Sequence, residues 1–160
     1  MERVDTSGDG WSSGLIVRGV AKFDSTNEWK TGYEFLHSSE YQDFSVWKTV
    51  GGAWTNLQPW SYTGTIVPND WNRLKVTADG NQLLFFINDT LVWSGSDSSL
   101  VNGVVGIVMY QGSGGGNLNV DWATLGMSDL FNGATLTGVV QPGLVKINSA
   151  NASNNPERAH

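Results

Sequence analysis

Short strand-like segments joined by tight turns dominate this sequence. Residues 71–77 alternate apolar and polar side chains with a period of two, as a strand with one buried face must. Asp79, Gly80 and Asn81 follow, which is typical of a hairpin turn, and the chain returns through residues 82–87. No segment of about ten residues has the period of a helix. The pattern therefore predicts an antiparallel all-β chain.

The pattern of short strand-like segments and tight turns continues on both sides of this hairpin. Gly51 and Gly52 form a second tight turn. The segment 54–62 contains Pro59, which has no N–H for a neighbouring strand, so we expect a loop or an edge strand there. Further strands are predicted at residues 14–18, 33–37, 44–48, 91–93, 103–110 and 118–122. Strands at this spacing indicate a sandwich or a barrel.

Composition limits the class of partner. The net charge is −6 and the nine Lys and Arg residues are scattered, so no nucleic-acid partner is expected. No apolar run approaches about 18 residues, so no membrane insertion is expected. The chain has no cysteine, which excludes disulfides and thiolate metal sites.

The order of the strand-like segments carries a family resemblance. The segments are Gly-Leu-Ile-Val-Arg at 14–18, Gly-Tyr-Glu-Phe at 32–35, Phe-Ser-Val-Trp-Lys at 44–48, the stretches 52–60 and 71–93, Gly-Val-Val-Gly-Ile-Val-Met-Tyr at 103–110, and Val-Asp-Trp at 120–122. Together they resemble the concanavalin A-like (laminin G-like) jelly-roll superfamily of lectins and glucanases. The resemblance implies an all-β, two-sheet antiparallel jelly-roll sandwich.

Catalytic members of that superfamily carry a Glu-x-Asp-x-x-Glu arrangement on one strand. None of the five glutamates here has that spacing; they are Glu2, Glu28, Glu34, Glu40 and Glu157. Hydrolysis of a glycosidic bond needs two carboxylates that flank it. We therefore expect a non-catalytic member rather than an enzyme. A glycoside hydrolase, with Asp43 paired in space to Glu34 or Glu40, is the weakest alternative.

The aromatic residues are the first candidates for a binding site. A sugar ring has an apolar face that stacks on indole or phenol, while nearby polar groups hydrogen-bond its hydroxyls. The candidate ligand-binding residues are Arg18, Tyr33, His37, Asp43, Trp47, Trp54, Trp60 and Tyr62. For Trp71, Trp93 and Trp122 we expect the core or a strand end. The predicted partner is a polysaccharide or glycan.

Period-two alternation assigns faces to some of these candidates. Asp43 and Trp47 share one face of their strand, so they line an exposed face if Phe44 and Val46 are core. Arg18 alternates away from its apolar neighbours, which would leave its guanidinium free to bind sugar hydroxyls or a carboxylate. A lone histidine such as His37 is also well explained as a structural hydrogen-bonding residue.

The loop at residues 5–10 has oxygen-bearing side chains at alternating positions. Asp5, Ser7 and Asp9 resemble the first half of an EF-hand loop, but Ile16 stands where the bidentate acid should be, so an EF-hand is excluded. A simpler calcium site from these three residues remains an alternative to a plain Asp/Gly turn. No cofactor is otherwise required.

Residues 1–126 are predicted to form the sandwich, 127–147 to add strands that close or extend it, and 148–160 to be a linker or disordered tail. Few residues precede the strand at 14–18, so we expect either closure by these added strands or an open edge. An open edge would permit homo-oligomers by strand addition, as in a structural or adhesive subunit. The start of the sequence has no signal-peptide pattern. The leading prediction is a lectin-like, carbohydrate-binding module of a secreted or cell-surface protein.

Overall fold

A computed structural model describes residues 2–4, 12–20, 29–110, 117–128, 135–139 and 145–148. Its strands are β1 (Glu2–Val4), β2 (Ser12–Gly19), β3 (Gly32–Ser38), β4 (Asp43–Val50), β5 (Ala53–Tyr62), β6 (Leu74–Asp79), β7 (Gln82–Ile87), β8 (Thr90–Ser96), β9 (Val104–Tyr110), β10 (Asn117–Val120), β11 (Thr124–Ser128), β12 (Thr135–Val139) and β13 (Val145–Asn148). These residues include no helix, hence none long and apolar enough to cross a membrane.

Two antiparallel sheets organise the molecule. The large sheet has the order β5-β4-β3-β2-β9, and the small sheet has the order β6-β7-β8. The pairing of β2 with β9 joins segments far apart in sequence. Strands β1, β10 and β13 form a further sheet, and β11 pairs with β12. The predicted all-β, two-sheet antiparallel jelly-roll sandwich is confirmed.

The main core lies between the large and small sheets. Phe35 and Phe44 of the large sheet meet Phe85 of the small sheet edge to face, with ring centroids 5.4 and 6.1 Å apart. These aromatic pairs add to the free energy gained by burying their area. We call the side of the large sheet that meets the small sheet its inner face, and the opposite side its outer face.

Two hairpin turns of the small sheet have the backbone that their residues favour. Gly80 has φ +53°, between strands that pair in register from Asp79 and Gln82. Asn88 and Asp89 both have positive φ, 49° and 64°, as a two-residue type I′ turn requires. The segment with Pro59 is an edge strand of the large sheet, which resolves the choice between loop and edge strand.

The predicted strand at 71–77 begins later than its alternation indicates, at Leu74. The cause is the buried side chain of Asn72, whose amide forms hydrogen bonds with backbone groups in place of a neighbouring strand. Its amide accepts from Val67 N at 2.8 Å and donates to Val67 O at 2.8 Å and Asp70 O at 3.0 Å. These bonds hold the chain before β6 as a loop, so Trp71 lies outside the sheet.

A hydrogen-bond network around Asp97 stabilises one end of the sandwich. The Lys48 ammonium donates to one carboxylate oxygen and the Tyr33 hydroxyl to the other, both at 2.7 Å. Burial acts to raise the pKa of Asp97, but hydrogen bonds from Lys48, Ser99 and Tyr33 outweigh it and hold that pKa well below 3.8. Burial, with the bond to Asp97, raises the pKa of Tyr33.

Replacing Asp97 by asparagine is expected to destabilise the fold by about 2 kcal/mol at neutral pH, because Lys48 loses its anionic partner. The folded-state pKa is depressed, so this stability is fully present above the ordinary pKa of 3.8 and is lost as pH falls through the folded-state value. The difference between wild type and variant should therefore shrink from about pH 5 towards about pH 2. Urea unfolding followed by tryptophan fluorescence measures it. Asp79→Asn, at an exposed position at the end of β6, is the matched control. A difference in the free energy of unfolding that does not change with pH would contradict the role assigned to the Asp97 carboxylate.

Candidate functional site

The outer face of the large sheet gathers five of the predicted binding residues. Trp47 and Trp60 pack on a buried cluster on this face, and Trp54 meets Trp47 at a ring-centroid distance of 6.1 Å. Asp43 and Tyr62 are cross-strand partners in β4 and β5. Asp43 lies four residues from Trp47 along β4, so period-two alternation places both on the same face.

The inward neighbours in β4 explain this orientation. Phe44 and Val46 belong to the core between the sheets, so the intervening residues must point outward. The sequence-based assignment of Asp43 and Trp47 to the opposite face is therefore confirmed. Tyr62 lies on edge strand β5 and is 72% exposed, which makes it the most accessible aromatic ring of the group.

The aromatic rings of this face come from both edges of the sheet. Trp54 is on β5 and Tyr110 is on β9, the two edge strands, yet their ring centroids are 6.2 Å apart. Strands spaced at about 4.8 Å would separate these edges by about 19 Å in a flat sheet. The large sheet must therefore curve around its outer face. The outer face is a concave surface on which aromatic rings from the two edges meet.

A buried carboxylate lies on this concave face. Glu34 of β3 has no exposed surface, and the Tyr110 hydroxyl donates to its Oε2 at 2.6 Å. Trp47 is oriented by its own hydrogen bond, from Nε1 to Ser45 Oγ at 2.9 Å. Both aromatic rings are thus held by polar partners rather than by packing alone, which makes the surface preorganised.

Trp29 occupies the part of the outer face next to β9. A Cβ atom added to Gly19 or Gly106 would lie 2.9 or 2.6 Å from its indole carbons, which is too close for any real contact. The two glycines therefore let the indole lie directly against the sheet. Replacing either residue by a larger one would lift Trp29 away from the concave face.

Arg18, Tyr33 and His37 are not on the outer face. Tyr33 belongs to the core and bonds Asp97, and His37 Nδ1 lies 2.9 Å from the carbonyl oxygen of Ser13. The expectation that alternation frees Arg18 is wrong. Arg18 has φ +54° at an irregularity in the β2–β9 register, and its buried guanidinium donates to Leu100 O and Gly80 O. We therefore leave these three residues out of the candidate site.

The proposed calcium ligands Asp5, Ser7 and Asp9 lie outside the described residues. Within the part of the chain that the structure describes, no group of three or more His, Asp or Glu side chains is placed to hold a metal ion. The calcium site remains a prediction from the sequence.

Sequence reasoning missed Glu34, Tyr110 and Trp29 as members of this face. Period two does place Glu34 opposite Tyr33, but only the strand pairing shows that this side is concave. Tyr110 could not be found locally, because its neighbours on the face come from strands β3 and β5. Trp71 and Trp122, expected in the core or at strand ends, are 41% and 54% exposed.

Comparisons with known proteins give one family match. The family model of the 3-keto-alpha-glucoside-1,2-lyase-like domain matches residues 3–117. Among solved structures, the carbohydrate binding module CBM66 from Bacillus subtilis is similar at 24% identity and a TM-score of 0.49, over 66% of this chain and 60% of that chain. Sheep galectin-11 in complex with glycerol is similar at 12% identity and a TM-score of 0.45, over 67% of this chain and 84% of that chain. Curated protein sequences show no significant match.

Proposed function

The chain belongs to the 3-keto-alpha-glucoside-1,2-lyase-like domain family, and we propose that it binds a carbohydrate on its concave outer face without cleaving it. The observation that carries this proposal is the convergence of Trp54, Trp47 and Tyr110 from different strands above Glu34. A curved sheet whose aromatic rings meet above a polar group has the two properties that sugar recognition needs.

Each part of the face has a role in this proposal. The half-buried indoles of Trp47 and Trp54 offer apolar edges and faces to the C–H groups of a pyranose ring. The Tyr110 hydroxyl, which donates to the buried Glu34 carboxylate, offers its oxygen as an acceptor to the sugar hydroxyls. Asp43 and the exposed ring of Tyr62 extend the surface along β4 and β5 towards a second sugar unit.

The spacing of the carboxylates supports binding without hydrolysis. Glu34 is the strand partner of Trp47, and Asp43 lies four residues further along β4. At about 3.3 Å per residue their backbones are about 13 Å apart along the strand. Because side chains stand roughly perpendicular to a sheet, the two carboxylates remain about as far apart as their backbones. Hydrolysis needs carboxylates about 5 to 9.5 Å apart.

The family name supports a second candidate, which is elimination rather than hydrolysis. A keto group at C3 acidifies the C2 proton of a glucoside. A base can remove this proton, the C1–O bond then breaks, a C1=C2 double bond forms, and the departing oxygen takes up a proton. One carboxylate and one hydroxyl donor suffice, and Glu34 with Tyr110 is such a pair on the outer face, although the rings above Glu34 must move before its buried carboxylate can reach a substrate.

Calorimetric titration against neutral polysaccharides, with and without calcium, tests the binding proposal. We expect saturable, modest affinity for at least one glycan, because a few stacked rings must offset the ordering of a flexible chain. Absence of binding throughout the panel would contradict it. Incubation with a 3-keto-glucoside separates the second candidate: formation of an unsaturated keto sugar would show catalysis, and Glu34→Gln should then abolish it.

We extend the proposal to the setting of the domain, a secreted or cell-surface protein, since polymeric glycans are met outside the cell. A two-part binding surface of this kind suits a module that holds a larger protein on a polysaccharide. Detection of the protein in the extracellular or surface fraction of its source cells is the corresponding measurement.

A further inference from the structure

A second concave surface lies on the other side of the large sheet, where the small sheet ends. Strand β6, at the edge of the small sheet, packs over β2. Among the residues that the structure describes, the small sheet has no strand beyond β6 that could cover β9. The inner-face residues Leu15 and Ile107 therefore form the floor of a groove of about 410 Å³, within the size range of ligand sites.

Two exposed indoles form the sides of this groove. Trp71 precedes β6 and Trp122 lies between β10 and β11, and they are 41% and 54% exposed. Their positions are set by the fold: the Asn72 bonds hold Trp71 in its loop, and the Arg73 guanidinium stacks 5.5 Å from the centre of the Trp122 ring. Exposed indoles beside an apolar floor form a contiguous apolar surface of the kind that marks ligand-binding grooves.

Polar groups line the groove beside the indoles. One guanidinium nitrogen of Arg73, Nη1, donates to both carboxylate oxygens of Asp89, at 3.1 and 3.0 Å. Asp121 adds a further carboxylate to the lining. The guanidinium is thus already balanced by Asp89, and the groove as a whole keeps an excess of negative charge. A uronate or sulfated sugar would be repelled, whereas a neutral hydroxylated ring meets both donors and acceptors.

We propose that this groove is a second carbohydrate site, which takes a neutral sugar ring between Trp71 and Trp122. The apolar floor and indoles would cover the C–H face of the ring, and the Arg73–Asp89 ion pair would bond its hydroxyls. The groove shares none of its lining residues with the outer aromatic face. The proposal therefore goes beyond the outer-face site and stands or falls separately from it.

Indole N–H signals in nitrogen-15 NMR spectra test this site directly. Each of the eight tryptophans gives its own indole N–H signal. The groove and the outer face contain different tryptophans, so binding at each surface shifts different signals. Trp71→Phe and Trp122→Phe assign the groove signals, and Trp47→Phe and Trp54→Phe assign those of the outer face. The probes are maltohexaose, cellohexaose and laminarihexaose, with hexagalacturonate as the anionic comparison.

We expect a neutral hexasaccharide to shift the Trp71 and Trp122 signals saturably, and hexagalacturonate to shift them less. Trp122→Ala should weaken this binding about tenfold, while Val101→Ala, at another exposed apolar position, should not. Shifts confined to the outer-face signals would overturn the groove site and keep the outer-face proposal. Shifts confined to the Trp71 and Trp122 signals would keep the groove site and overturn the outer-face proposal. The groove site would also be overturned if none of the three neutral probes shifted the Trp71 and Trp122 signals, or if hexagalacturonate shifted them more than the neutral probes do.

Discussion

Replacing Trp54 by alanine is expected to weaken glycan binding at least about tenfold, which corresponds to about 1.4 kcal/mol. The ring of Trp54 contacts both Trp47 and Tyr110, so its loss opens the concave face as well as removing one stacking surface. Water would then reach the Tyr110 hydroxyl and the buried Glu34 carboxylate and weaken the hydrogen bond that orients the Tyr110 ring. Calorimetric titration with the glycan bound by the wild type measures the loss.

The control for Trp54→Ala is an exposed apolar residue on the small sheet. Leu91 of β8 is 49% exposed and remote in the fold from the outer face. Leu91→Ala should leave the affinity unchanged. Because Trp54 lies on an edge strand, thermal unfolding of both variants checks that the fold survives. An affinity within about threefold of wild type in a folded Trp54→Ala protein would show that Trp54 does not contact the sugar.

Replacing Phe85 by alanine should cause the largest loss of stability among the predicted changes, about 3 to 5 kcal/mol. Phe85 is fully buried on the central strand of the small sheet and contacts Phe35 and Phe44 across the core. Its removal leaves a cavity between two sheets that cannot easily close, since each is held by its own hydrogen bonds. Urea unfolding gives the free energy of unfolding.

The next residue along the chain provides the matched control for Phe85→Ala. Phe86 points to the opposite face of β7, where it is half-buried and lies under the Lys75 ammonium, 4.8 Å from its ring centre. Phe86→Ala should cost about 1 kcal/mol or less. The same chemical change is thus made on the two faces of one strand. Equal losses, or a larger loss at Phe86, would contradict the assignment of faces in the small sheet.

Much of the strand layout could be predicted from local patterns. Residues 82–87 are a strand with the bounds that the preceding hairpin turn and its run of apolar residues indicate. The failures have local physical causes that alternation does not contain. Asn72 replaces strand pairing with side-chain hydrogen bonds, and β6 starts late. Arg18 takes a positive φ, and its side chain leaves the face that period two assigns to it.

The candidate site could be predicted where it depends on a single strand. Asp43 and Trp47 were assigned correctly because Phe44 and Val46 are plainly apolar and one strand has only two faces. Tyr33 and His37 share a face, as the sequence indicates, but that face turns inward. Period two separates two faces without saying which of them meets the other sheet.

The sequence by itself determined that this chain is built of antiparallel strands with aromatic residues on both faces. This information is local, since turns and alternation involve residues only a few positions apart. The tertiary structure decided which aromatic residues face solvent. Trp54 and Tyr110 meet because the large sheet curves, and Trp71 and Trp122 stay exposed because the small sheet is narrower than the large one. Curvature and unequal sheet width are properties of many strands together, so no single segment encodes them.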